Sequence, residues 1–164
     1  EVKQFNIKPR IAMLSYSNFG SSDSPEANLV RKAREIVKAK DPSLICDGEV
    51  QGILAFNKEI LKENYPFTEL LNGDVNILIF PNLSAGNIAY NLLQEVAGTD
   101  SIGPILLGLN KPVHVLQLGS SIRSIFNMVL IAVVDAQTKC KTDTKEVIKK
   151  SKWWKRKKSS EGEM

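Results

Sequence analysis

The sequence has two cysteines, one histidine and few aromatic residues, 7% of its 164 positions. Cys46 and Cys140 lie far apart and match no metal-binding spacing, so we expect two reduced thiols and no metal site. His114, in "KPVHVL", has no Cys, Asp or second His at ligand spacing, and a structural role is expected of it. No apolar run approaches the ~18 residues that span a bilayer. No secretory signal opens the chain, which points to a cytoplasmic protein. The phosphate-binding glycine signatures G-x-x-x-x-G-K-[ST] and G-x-G-x-x-G are both missing, as is any repeat of fixed period. The first residue is Glu1 and not Met, so a piece of a longer polypeptide or a processed chain is expected.

What is present is ordinary for a globular domain: 43% hydrophobic and 24% charged residues, in a chain long enough for one domain with a core. The net charge of +4 is unevenly spread. Residues 138–164 carry ten Lys and Arg against four Asp and Glu, and residues 1–137 carry twelve against fourteen. The basic character therefore belongs to the tail. Its "KSKWWKRKKSS" has the aromatic-plus-basic composition that suits anionic membranes or nucleic acid. The stretch is too short for a groove, and we read it as a solvated tail, a fraying helix and then disorder, with neither a nucleic-acid nor a membrane partner.

Apolar runs alternate with helical patterns. Ile11–Tyr16, Leu44–Gln51 and Val75–Phe80 read as strands, the last covered on both faces. Ile105–Leu109 and Val113–Leu116 read as two further short strands. Pro25–Lys40 reads as a helix capped by Ser24 with Pro in its first turn, its apolar residues at Leu29, Ala33, Ile36 and Val37. Leu54–Asn64 reads as a second helix. A third is expected from Ser84, as cap, through Val96, closed by Gly98 and striped by Ile88, Leu92 and Val96. Ser121–Gln137 is apolar around most of its circumference, so it must be buried or must cover a partner. The alternation predicts a three-layer α/β/α fold with a largely parallel or mixed sheet.

Four stretches carry candidate chemistry. "SYSNFGSS" follows a strand and precedes a helix, where ligands of open α/β sheets bind. Its serine hydroxyls, Gly20 and the helix N-terminus suit a phosphate, though a plain loop is the competing reading. In "CDGEVQG", Asp47 and Glu49 share one face of a strand. They could do acid–base work or be solvated at a strand end where Gly48 turns the chain. In "FPNLSAGNIAYNLL", capping explains Ser84, whereas Asn87 sits in a first turn at some cost in helix propensity. In "GPILLGLNKPVHVLQLGSS", Lys111 could hold a phosphate or face water.

Taken together, "SYSNFGSS", "DGE", "FPNLSAGNIAYNLLQ", "GPILLGLNKPVH" and "IFNMVLIAVVDAQ", in that order, resemble the C-terminal half of the phosphate acetyl/butyryltransferase family. The resemblance runs from about Arg10 to Gln137. It implies an isocitrate/isopropylmalate dehydrogenase-like fold, with residues 1–9 as lead-in, 10–137 as a partial phosphotransacetylase-like domain and 138–164 as an extension. "LSYSNFGSSDSP", "GPILLGLNKPVHVL" and "NMVLIAVVDAQ" are similar, more narrowly, to the C-terminal domain of bacterial multidomain NADP-dependent malic enzymes.

Two departures matter. Active transferases usually carry Thr-Lys-Gly where this chain has Asn18-Phe19-Gly20. They also carry Leu-Ser-Arg-Gly-Cys-Ser after the Lys-Pro-Val strand and an Asp in the next helix turn. Here Gln117 stands for that Ser, Leu118 for the Arg, Ser120 for the Cys and Ser124 for the Asp. Leu118 cannot pair with phosphate, and Ser124 cannot serve as a carboxylate base.

The resemblance therefore implies a non-catalytic, regulatory role: sensing acetyl-CoA and contributing to oligomerisation. The parent enzyme would oxidatively decarboxylate malate to pyruvate with NADP and Mg or Mn. The candidate ligand residues are Ser15, Ser17, Asn18, Ser21, Asn87 and Lys111; no catalytic or metal-ligating residue is assigned. The expected partners are the upstream malic-enzyme and transacetylase-like segments and further copies of the chain. An active acyltransferase moving acetyl between phosphate and CoA is the alternative, and an assembly module or remnant of a truncated gene is a third.

Overall fold

The computed structural model describes residues 2–98, 101–109 and 111–138. The chain divides into two compact units, Val2–Thr99 and a second from Asp100 onward.

In the first unit a short 3-10 turn, Val2–Phe5, leads into β1 (Arg10–Leu14), α1 (Pro25–Lys40) and β2 (Ile45–Val50). Two short helices follow, α2 (Gly52–Phe56) and α3 (Lys58–Asn64). A 3-10 turn (Glu69–Asn72), β3 (Ile77–Ile79) and α4 (Leu83–Ala97) complete it. The sheet is parallel, in the order β2-β1-β3. β1 lies in its middle, and successive side chains of a strand point to opposite faces. Ala12 and Leu14 join Val50, Leu54, Ala55, Leu61 and Leu70 on one face. Met13 joins Val30 and Cys46 on the other. Both faces are covered by helices, so β1 reads as a continuous apolar run, and the fold is α/β as expected. Cys46 is a free, buried thiol. Burial, then the neighbouring Asp47, pushes its pKa up and keeps it protonated.

α1 has the expected bounds. The Ser24 hydroxyl accepts from Ala27 N–H, Pro25 opens the first turn, and Asp41 N–H closes on the Val37 carbonyl. Its inward stripe differs: Val30, Ala33 and Val37, spaced i, i+3, i+7, pack on the core, while Leu29 and Ile36 are exposed.

Four other expectations are corrected. The helix expected over Leu54–Asn64 is two helices. Asn57 takes an extended conformation, and its side chain caps α3 by accepting from Ile60 N–H; a short amide competes well at such a cap. β3 is shorter than Val75–Phe80 and is not covered on both faces, since Ile79 is 42% exposed; among the described residues it pairs with β1 alone. The cap of α4 is Asn82, accepting from Ala85 N–H at 2.9 Å, and not Ser84. Gly98 ends the helix in the left-handed region as expected. The stripe of α4 is not an inner face, since none of its residues is buried.

In the second unit, residues 101–109 and 111–121 form neither helix nor strand. The strands expected at Ile105–Leu109 and Val113–Leu116 are therefore absent among the described residues. A strand needs a neighbour to satisfy its backbone, and no described strand pairs with this stretch. Residues 122–138 form α5. It buries Met128 and Asp135, while Ile122, Phe126, Val129 and Val133 are exposed. Of the two expectations for this helix, burial all round is excluded. His114 Nε2 lies 3.8 Å from Asp135 Oδ2, both side chains nearly inaccessible. No described helix is long and apolar enough to cross a membrane. Cys140 and the basic tail lie outside the described residues.

Candidate functional site

The site is built where β1 ends and the loop Ser15–Ser24 carries the chain into α1. Asn18, Phe19, Gly20 and Ser21 make a tight turn, closed by Ser21 N–H on the Asn18 carbonyl at 3.0 Å. Both central residues have positive φ, 44° for Phe19 and 97° for Gly20. Gly20 does this freely, whereas a bulky residue there stores about 1–3 kcal/mol of strain. Two contacts hold Phe19. Its N–H donates to the Glu49 carbonyl at 2.7 Å. Its ring packs against Tyr65 and Phe67, with centroids 4.9 and 5.3 Å away.

Glu49 organises the loop. Between Gly48 and Val50 the ladder with β1 shifts register, leaving Glu49 out of it. Its carboxylate is fully buried. Oε1 accepts from Ser17 Oγ at 3.0 Å, Gly20 N–H at 2.7 Å and Arg31 Nη2 at 2.9 Å. Oε2 accepts from Arg31 Nε at 3.2 Å. Burial works against ionisation, but Arg31, the Gly20 N–H, its own N–H and the Ser17 hydroxyl prevail, holding the carboxyl below the usual range. The same bond raises Arg31 above its ordinary value. Asp47 is also buried. Its Oδ1 accepts from Arg34 Nε at 3.2 Å, and its Oδ2 from Thr68 Oγ1 at 2.7 Å and Glu69 N–H at 3.0 Å.

The two carboxylates of "DGE" each hold one of two arginines three residues apart on α1; the shared strand face that their spacing predicts is not kept, since Asp47 stands beside Ala12 in the ladder, on the face opposite Cys46 and Met13, and the register shift sets Glu49 apart from it. They are neither solvated nor poised as bases: both are buried and paired with an arginine, and the carboxyl of Glu49 is held below the usual range. Gly48 between them is required. Its φ is +136°, and a Cβ there would lie 2.5 Å from the Met13 carbonyl oxygen. Phe19, Phe67, Arg31, Arg34 and Glu35 line an open cleft of about 340 Å³ over this pair.

The structure brings together four of the six candidate ligand residues. Ser17 Oγ, buried, bonds Glu49, lies 3.1 Å from Ser21 Oγ and accepts from Ser22 N–H. Ser15 Oγ accepts from Ser17 N–H, Ser21 Oγ from Asn18 N–H, and Asn18 Oδ1 from Gln51 N–H. The Tyr16 hydroxyl bonds Ser22 and Ser24. The loop polar groups therefore knit the loop to itself and to β2. Asn87 stands exposed on α4, and Lys111 is exposed in the second unit. Sequence reasoning missed Arg31, Arg34, Thr68 and the Phe19–Tyr65–Phe67 cluster. The signal for the arginines was their i, i+3 spacing on the helix that follows a strand and precedes a carboxylate pair.

In the second unit, the turn Gln117–Ser120 is closed by the Ser120 N–H and hydroxyl on the Gln117 carbonyl, at 3.1 and 2.7 Å. Leu118 projects fully into solvent from it. Ser121 Oγ accepts from Ser124 N–H and lies 2.9 Å from Ser124 Oγ, so both hydroxyls are spent at the start of α5.

Comparison with known proteins gives a consistent assignment. A family described as phosphate acetyl/butaryl transferase matches residues 1–133. The NADP-dependent malic enzyme of Haemophilus influenzae is 47% identical over 137 residues, 84% of this chain and 18% of that protein. The phosphate acetyltransferase of Bacillus subtilis is 42% identical over 134 residues, 82% of this chain and 41% of that one. A crystal structure of a phosphotransacetylase from Streptococcus pyogenes superposes with a TM-score of 0.75 at 41% identity, over 85% of this chain and 41% of its own. The chain thus spans less than half the length of each of these relatives.

Proposed function

This chain belongs to the phosphate acetyl/butaryl transferase family, and we propose that it is the regulatory, phosphotransacetylase-like part of a cytoplasmic NADP-dependent malic enzyme, binding acetyl-CoA without turning it over. The observation that carries this reading is the turn Gln117–Ser120. Where active transferases present an arginine to the acyl phosphate, this turn presents the alkyl side chain of Leu118. Where they carry an aspartate base, Ser124 is bonded to Ser121. The paired Asp47 and Glu49 do not replace that base.

Malate oxidation to pyruvate, with NADP and Mg or Mn, would then belong to the upstream part of the parent enzyme. Acetyl-CoA would meet Ser15, Asn18, Ser21 and Asn87 of the first unit. Ser17, committed to Glu49, would hold the loop in shape. To regulate, the ligand must bind one state of the oligomer better than another.

Calorimetric titration of the chain with acetyl-CoA, with acetyl phosphate as control, tests the proposal. Saturable acetyl-CoA binding with no CoA released on adding phosphate is expected. Phosphate-dependent release of CoA would instead identify an acyltransferase. Absence of binding by a chain shown to be folded would remove the sensing role.

A further inference from the structure

We infer that the β1–α1 loop is a complete anion cradle whose occupant is the chain's own Glu49 carboxylate, and that a free carboxylate the size of acetate takes the same place once that side chain is removed. Every residue concerned lies in the first unit. The inference goes beyond the acetyl-CoA reading and does not depend on it.

The loop has the setting of an anion site. It leaves a strand, turns through Phe19 and Gly20 at positive φ and enters a helix. Yet its donors are all engaged. The backbone N–H groups from Ser17 to Ser22 donate, in order, to Ser15 Oγ, Ser21 Oγ, the Glu49 carbonyl, Glu49 Oε1, the Asn18 carbonyl and Ser17 Oγ. A phosphate arriving at this loop finds none of them free.

What they surround is a carboxylate. Gly20 N–H meets it at 2.7 Å and the Ser17 hydroxyl at 3.0 Å. Arg31 grips it side-on, through Nη2 at 2.9 Å and Nε at 3.2 Å. A backbone amide, a hydroxyl and a two-pronged guanidinium are the donors that protein sites present to a bound carboxylate or phosphate. The cradle also has supports of its own. Arg31 Nη1 donates to Asn28 Oδ1 at 2.7 Å, and Nη2 to the Ser22 carbonyl at 3.1 Å. Phe19 N–H bonds the backbone of residue 49, which any side chain there retains.

Charge fixes the occupant. One guanidinium balances one carboxylate. A phosphate would have to expel Glu49 and strand that charge without a partner, at a high cost in a buried site. Glu49 is also tethered, so its effective concentration at the cradle exceeds that of any free anion. The natural chain is therefore closed to external anions at this point. The acetyl-CoA contacts proposed above do not include Ser17, Gly20 or Arg31, so the two readings are compatible.

Glu49→Ala excises a CH2–COO⁻ group, the equivalent of one acetate. The test is rescue of this variant in the full 164-residue chain. Thermal unfolding is followed in acetate and in chloride at equal ionic strength, and the Gly20 amide is followed by NMR. Acetate at about 100 mM should raise the Tm of Glu49→Ala by about 4 °C, saturably. It should also return the Gly20 resonance towards its wild-type position. Wild type and Glu49→Gln, whose cradles stay filled, should not respond. Glu49→Ala/Arg31→Lys, without the fork, should respond several-fold more weakly. A Glu49→Ala chain that folds only when acetate is present would be rescue in its strongest form. One that stays unfolded at every acetate concentration would overturn the inference, as would a folded one indifferent to acetate. A rise shared by wild type, or rescue undiminished by Arg31→Lys, would overturn it too. So would saturable movement of the wild-type Ser17–Ser22 amides by inorganic phosphate. None of these readouts involves acetyl-CoA, so failure here leaves the ligand reading standing, and failure of the titration leaves this one.

Discussion

Ile11–Leu14 and Ile105–Leu109 are both short apolar runs, and their fates differ. The first is β1, paired on both sides and covered on both faces. The second, in the other unit, is neither strand nor helix. Among the described residues of that unit only Met128 and Asp135 are buried. The difference teaches that hydrophobicity proposes a strand and a neighbouring ladder makes one. A backbone whose N–H and C=O groups find no partner does better in water.

Four experiments would break or sharpen this contrast. The largest effect is expected in amide hydrogen exchange. β1 and β2 should exchange only through global unfolding, and residues 105–109 and 111–116 almost freely, a difference on the order of a thousandfold or more. Comparable protection in the two stretches would dissolve the comparison. Next is Gly48→Ala, which meets the Met13 carbonyl at a φ of +136°. It should cost about 4 kcal/mol in urea unfolding. Gly119→Ala in the second unit, also at positive φ but with open space around it, should cost at most about 1 kcal/mol.

Glu49→Gln comes third. It strips the charge from a buried pair and leaves Arg31 without its counter-ion, for about 3 kcal/mol. The sign of the pH dependence follows from the lowered pKa of Glu49. Its contribution is complete above the ordinary glutamate range and is lost as pH falls through the depressed folded-state value. The stability gap between wild type and Glu49→Gln should therefore close in acid; a pH-independent gap would show that the ion pair is not its source. The smallest effect is at the helix caps: Ser24→Ala and Asn82→Ala should each cost about 1 kcal/mol. A markedly smaller loss for Asn82→Ala would mean that α4 frays independently of the sheet, which circular dichroism at 222 nm would register.

Much of this was legible from residues near one another in the chain. Ser24, Pro25 and the run to Lys40 define α1, and Gly98 ends α4, because caps and turns act within a few positions. The order of the family motifs was readable in the same way. The break at Asn57 was less visible, since an asparagine between two helical patterns is compatible with either one helix or two until its side chain is seen to cap the second. The cap at Asn82 was passed over for Ser84 for the same reason.

The sequence by itself determined the α/β alternation, the bounds of α1, the family and the absence of an arginine and an aspartate at Leu118 and Ser124. Tertiary structure alone decided the rest. Asp47 and Glu49 could have been bases or solvated ends; Arg31 and Arg34, reached across the sheet from α1, made them buried anchors. Phe19 could have been any loop residue; Tyr65 and Phe67, more than forty positions away, hold it in a strained turn. Charge pairing, desolvation and ladder formation all depend on distance in space, and spacing along the chain sets that distance only within a turn or a cap.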